Sequence, residues 1–198
     1  MRKAIALLLA LAVAAGIGVA LWGRLAPLAA EAFGASGITR VTKPKALVCP
    51  DVPAVTVGSI TVPRGPIAGY CQAQLINAAH IMNAARAQGI GTHTQAVGVM
   101  TAMGESGLVN LDHGDTAGPD SRGLFQQRDN GAWGTLADRM DPYTSATNFF
   151  DKLTNLDGWQ SAAPSDLAHE VQVNADPGYY EQFWSDAQTV VTALTPQQ

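Results

Sequence analysis

Apolar residues recur with a helical period through most of the chain beyond residue 70. From Cys71 to Gln88, Leu75, Ile76, Ala79, Met82 and Ala85 share one face, and Gly89 ends the run. Thr92 or Thr94 then supplies a cap for a helix over about 95–104. That helix is apolar nearly all round (Ala96, Val97, Val99, Met100, Met103), which predicts a central position. Asp141-Pro142 opens a third helix, proline being tolerated in the first turn, with Ala146, Phe149, Phe150, Leu153 and Leu156 inward. Ser165 is placed to cap a short helix over 167–173. Asp176-Pro177 starts the last one, with Tyr180, Phe183, Trp184, Ala187, Val190, Val191 and Leu194 as its buried positions. Between 108 and 122 the period vanishes into a loop rich in glycine and aspartate. The pattern predicts a mainly α domain, a helical bundle around a central helix that ends at Glu105, with a minimal sheet or loop wall around 110–127.

Upstream the pattern changes twice. Residues 31–69 are rich in Pro, Gly, Val and Thr without a helical period, which reads as an extended linker with a short strand at 56–62. Arg2 and Lys3 precede an uncharged run from Ala4 to Leu21, followed by Trp22 and Arg24. The run meets the length of about 18 residues that a bilayer requires. The positive charges before it place everything past Arg24 outside the cytoplasm. The expected organisation is therefore a signal anchor over 1–24, with a cleaved signal peptide as the alternative. A linker over 25–66 and a globular domain over 67–198 follow. Cys49 and Cys71 suit that extracytoplasmic compartment as a disulfide, two buried thiols being the other reading.

The formal net charge of −4 conceals an asymmetry. Residues 1–69 carry seven Lys/Arg against two Asp/Glu, and residues 70–198 carry five against fourteen. A domain at −9 lacks the basic clusters that phosphate backbones require, so nucleic acid is excluded as a partner. His80, His93, His113 and His169 show no metal-ligand spacing, and neither cysteine has a C-x-x-C or H-x-x-x-H companion. No metal or cofactor is implied.

Glu105 is the residue whose position asks for an explanation. It is the sole ionisable group on its helix from Gln95 onward, and it stands at the C-terminal end, where the helix dipole disfavours a negative charge. Held against Met100, Met103 or Leu108, its pKa would rise, and a protonated carboxyl near neutral pH is what general-acid cleavage of a glycosidic bond needs. A solvated glutamate at a frayed helix end is the plainer alternative.

The surrounding residues bear on that choice. Glu105-Ser106-Gly107 and Asn110 are followed by Asp120-Ser121, Gly123-Leu124-Phe125-Gln126-Gln127, Trp133-Gly134-Thr135 and the Asp141-Pro142 segment. In this order they resemble the lysozyme-like lytic transglycosylases. The longer wording is similar to domains of exported actinobacterial and phage cell-wall proteins, over roughly residues 92–184. The resemblance implies an α+β lysozyme-like fold in which Glu105 is the catalytic acid and Ser106 orients it or the substrate. Gly123 would let backbone approach a sugar, and Gln126 and Gln127 would hydrogen-bond N-acetyl or hydroxyl groups. Trp133 and Tyr180 (or Tyr179) are either sugar platforms or core, whereas Trp159 and Trp184 read as core. The implied reaction is cleavage of the MurNAc–GlcNAc linkage of peptidoglycan for local opening of the wall, with glycan strands as substrate and envelope or secretion-system proteins as partners. A transglycosylase needs one carboxylate. A hydrolytic muramidase needs a second, for which Asp112, Asp115 and Asp120 are candidates and Asp120 is preferred, although all three also read as turn-formers. A glycan-binding or scaffold module without catalysis is the reading from another class.

Overall fold

A computed structural model describes residues 47–196. The expected anchor over 1–24, and the linker up to residue 46, lie outside the described residues. Among the described residues no helix is long and apolar enough to cross a membrane.

The domain is mainly helical with one small sheet. Strands β1 (Val55–Val57) and β2 (Ile60–Val62) form an antiparallel hairpin, Val57 paired with Ile60 across a two-residue turn. Helices α1 (Gln72–Ala87), α2 (Thr92–Ser106), α3 (Leu136–Met140), α4 (Pro142–Thr154) and α5 (Pro164–Gln172) follow. A 3-10 turn (Tyr179–Phe183) then leads into α6 (Trp184–Leu194). The hairpin corrects the expected linker boundary. Ile60 and Val62 are buried in the same core as α1, and the Asn83 amide donates to the Val57 carbonyl at 2.8 Å. The apolar alternation that suggested a strand in a spacer is thus the inner face of a hairpin belonging to the domain. The Cys49–Cys71 disulfide, with Cα atoms 5.4 Å apart and a sequence separation of 22, closes this segment onto the start of α1. By loop-closure entropy it stabilises the fold by about 3 kcal/mol.

Helix α2 is the centre. All ten residues from Thr94 to Met103 are buried, and the helix packs against α1, α4, α5, α6 and the 3-10 turn. Side chains that point in every direction find apolar partners in every direction, as the pattern predicts for a helix without a polar face. The helix stops at Gly107, which takes a left-handed backbone (φ 63°) and returns its N–H to the Met103 carbonyl. Two amides of α1 pin the exit: Gln74 donates to the Gly107 carbonyl at 2.8 Å and Asn77 to that of Leu108 at 2.9 Å. The end of α2 is therefore a fixed point.

Residues 110–127 take the loop form of the two expected, with only isolated bridges between Leu111 and Gly123 and between Arg122 and Gln127. Two further details depart from expectation. Ser165 lies inside α5 and its hydroxyl donates to the Pro177 carbonyl instead of capping the helix. Trp159 and Trp184 are half-buried, packed against the core rather than enclosed by it.

Candidate active site

The end of α2 forms the floor of an open cleft of ≈ 990 Å³. Gly104 and Glu105 line it on one side. Leu111, Asp115, Gln126 and Gln127 line it from the loop wall, and Gln172 at the end of α5, with Val173 and Tyr179 beyond it, from the other side. Glu105 and Gln126 thus face a common space, as the sequence pattern implies.

Tyr180 gives Glu105 its environment. Its ring is fully buried and its hydroxyl donates to Glu105 Oε1. Tyr179 beside it donates to the Gly104 carbonyl at 2.9 Å. A side chain at position 104 would place its Cβ 2.8 Å from Tyr180 Cδ1 and 3.1 Å from Tyr179 Cε1, so only glycine lets the two rings close on the helix end. The Glu105 carboxyl has its pKa raised, chiefly by burial and in small part by the charge of Asp115. The Tyr180 hydroxyl and the Gln172 side chain, itself anchored on the Phe125 carbonyl at 2.7 Å, favour the ionised form but do not outweigh burial. Burial and the nearby negative charge of Glu105 push the Tyr180 hydroxyl up, so it stays a donor at every relevant pH.

The opposite wall hangs on Arg139, a buried cation. Its guanidinium donates to the Asp120 and Gln127 carbonyls at 3.2 and 3.4 Å and pairs with Asp129 at 3.1 Å. Gly123 belongs to this arrangement. Its φ is 77°, and a Cβ there would meet the Arg139 carbonyl at 2.0 Å, so glycine is required for packing of the wall and not for approach to a sugar. Ser106 joins the two walls: its hydroxyl lies 2.8 Å from the Leu124 carbonyl and 3.0 Å from that of Ala102.

The expected site residues divide accordingly. Glu105, Gln126, Gln127 and Trp133 line the cleft, whereas Ser106, Gly123, Tyr180 and Asp120 lie behind its surface or away from it. Gln126 keeps its polar end at the cleft, with its amide on the Gly123 carbonyl at 3.1 Å and its backbone left-handed at φ 47°. Gln127 is only 2% exposed and donates to the Ser145 carbonyl at 3.0 Å, which makes it a tie to α4. Trp133 is buried and one face of its ring is covered by Lys152, so it offers no open platform. Tyr180 orients the acid instead of stacking on sugar. Asp120 does not line the cleft; it accepts from Arg128, which does, at 2.7 and 3.0 Å and from the Asp129 amide at 2.9 Å. Those bonds depress its pKa to about 2.

Asp115 does line the cleft, but its carboxylate accepts from the Ala117 and Gly118 amides at 2.9 and 2.8 Å. Among the described residues no cluster of three or more His, Cys, Asp or Glu is placed to hold a metal ion. Sequence reasoning missed Gln172 and Arg139. Gln172 falls within residues 92–184, the span given to the resemblance, but outside the motifs that carry it. Nothing in the sequence marks Arg139 as buried. No protein-family model matches the chain, and no curated protein matches it.

Proposed function

We propose that this domain is lysozyme-like and cleaves the β-1,4 linkage between N-acetylmuramyl and N-acetylglucosaminyl residues of peptidoglycan, with Glu105 as proton donor. The observation that carries the reading is a carboxyl with a raised pKa on the floor of a glycan-sized cleft, held by a buried tyrosine hydroxyl. Glu105 protonates the leaving glycosidic oxygen as the bond to the muramyl C1 breaks. The resulting carboxylate then takes the proton of the muramyl C6 hydroxyl, whose oxygen closes on C1 to give a 1,6-anhydro ring. The acid returns to its starting state and no water is consumed. One desolvated carboxylate suffices for this cycle.

The order of motifs from Glu105 to Asp141 supports the same reading. The disulfide fits an oxidising compartment outside the cytoplasm, where the basic and apolar N-terminus would tether the domain to the membrane. A hydrolytic muramidase keeps one observation in its favour, the place of Asp115 in the cleft. Asp120, the expected base, is held by Arg128. Digestion of purified peptidoglycan with mass analysis of the new ends tests the proposal. Anhydro-muramyl ends are expected. Reducing ends would transfer the reaction to water and Asp115. Absence of cleavage, or cleavage undiminished in Glu105→Gln, would leave a binding or scaffold module.

A further inference from the structure

Lys152 is set apart by the partner it lacks. Arg64, Arg128 and Arg139 each pair with an aspartate, Arg86 donates to the Ser59 hydroxyl, and Arg122 is engaged by the Pro119 and Ser121 carbonyls. Lys152, in the last turn of α4, makes no salt bridge among the described residues of an acidic domain. It is half-buried, and its ammonium lies 3.5 Å from the centroid of the Trp133 ring. Burial lowers its pKa, and no neighbouring carboxylate offsets that effect. The ring fixes where the ammonium sits, a contact worth about 0.5–2 kcal/mol. A fixed, partly desolvated cation without a counter-ion on a cleft wall is built to receive an anion.

The position of Lys152 says which anion. It lines the main cleft and also a second hollow of ≈ 400 Å³, so the two adjoin at this side chain. The smaller hollow is polar, with Thr144, Asn148, Asp138 and Asp151 among its walls. Asp138 is already used by the Thr135 amide and hydroxyl, which leaves Asp151 as the exposed carboxylate there. A groove with a polar side branch, and a cation at the fork, matches a linear polymer that carries polar side chains with carboxylates.

We propose that Lys152 marks a branch subsite for the peptide stem of the muramyl residue, its ammonium taking a stem carboxylate where the stem turns out of the main cleft. This rests on the glycan reading of that cleft. Stem amides would meet Thr144 and Asn148, and a stem amine would meet Asp151. The chain would then act on peptide-bearing glycan in preference to denuded strands.

The test uses the full chain carrying Glu105→Gln, titrated calorimetrically with two soluble muramyl oligosaccharides that differ only in the peptide stem. The stem-bearing ligand is expected to bind more tightly. Adding Lys152→Met, which keeps the apolar length over Trp133, is expected to weaken that ligand about tenfold and bring the two affinities together. Lys152→Arg is expected to restore most of the preference. Equal affinity for the two ligands at the outset, equal loss on both, or no detectable binding would overturn the subsite. Turnover by the wild-type chain is scored separately. Binding that depends on Lys152 without any cleavage would therefore sink the transglycosylase reading and leave the stem subsite standing.

Discussion

Glu105 and Asp120 are both carboxylates of the same stretch, and the fold treats them in opposite ways. Glu105 sits where the most buried helix of the domain emerges into a cleft, and loss of water there raises its pKa. Asp120 sits on the loop wall, partly exposed, and accepts three hydrogen bonds, two of them from the cleft-lining Arg128, that hold it ionised to about pH 2. Glu105 keeps its proton to higher pH than an exposed glutamate does, whereas Asp120 has lost its own far below neutral pH. Neighbours in sequence did not decide this. Asp120 stands beside the Gly123–Gln127 block, whereas the hydroxyl that serves Glu105 comes from a tyrosine 75 residues away. What separates an acid from a turn-former is access to water and the donors that reach it.

The largest effect is expected from Glu105→Gln. Cleavage should fall by about 10²–10⁴-fold, the usual worth of a positioned general acid. Stability should move the other way. Because burial raises the folded-state pKa above an unfolded value of about 4.3, ionisation destabilises the native state in full above the folded pKa and not at all below the unfolded one. The variant should therefore melt higher than the wild type at neutral pH, and the difference should vanish as pH falls below about 4. A lower melting temperature at neutral pH would mean that Glu105 is a structural ion and would erase the contrast with Asp120.

Tyr180→Phe should come next. Its hydroxyl favours the ionised carboxylate, so removing it leaves burial less opposed and raises the Glu105 pKa further. The alkaline limb of the kcat profile is expected to move to higher pH while the rate at the optimum drops by about tenfold through lost orientation. A limb that stays in place, or moves to lower pH, would show that Tyr180 does not touch the acid in solution.

Smaller again is Val173→Gly. Val173 lines the cleft with a left-handed backbone (φ 55°) and is 81% exposed, an unfavourable state for a β-branched residue. Glycine removes that strain but adds chain entropy to the unfolded state, so a net gain of about 1 kcal/mol or less is expected in urea unfolding. Glycan binding should weaken, because the apolar rim is lost. Gln126, across the same cleft, has the same backbone sign. Strain is thus stored on both sides of the acid.

Much of the scaffold was legible because its helices are long and periodic. Burial of Thr94–Met103 on all sides follows from the absence of any polar face in α2, whereas the helix end does not: the apolar run stops at Met103, yet the helix continues past the expected 104 to Ser106 and closes at Gly107. Short elements were not. Helix α3 has five residues, too few to show a period, although Thr135 and Asp138 spell its capping box. The β1–β2 hairpin read as one strand because its turn takes only two residues within a Val/Ile/Thr run. At the site, Glu105 and Gln126 could be named from motif order. Tyr180 could be named with its role left open between sugar platform and core, since an amphipathic ring suits both equally well until burial is known; burial decides for the core. Arg139 was invisible, because an arginine is buried only where carbonyls from distant turns converge on it, and that convergence is a product of the fold.

Asp120→Asn is the smallest expected effect and the sharpest test of the comparison. The single asparagine oxygen can accept from Arg128 or from the Asp129 amide but not from both, so one tie of the loop is lost, while Arg139 holds the loop independently through the Asp120 backbone carbonyl. Cleavage is expected to stay within about twofold of wild type, as for loss of an exposed ion pair. A depressed carboxylate stabilises the native state above its unfolded pKa, and that contribution disappears as pH falls toward about 2. Any difference in melting temperature between wild type and variant should therefore be constant at neutral pH and shrink to nothing between about pH 4 and 2. A loss of cleavage of 10²-fold or more, with the fold intact, would place Asp120 back in the reaction as the base that a hydrolase requires. The reaction would then consume water, and Glu105 would cease to be its single acid and base.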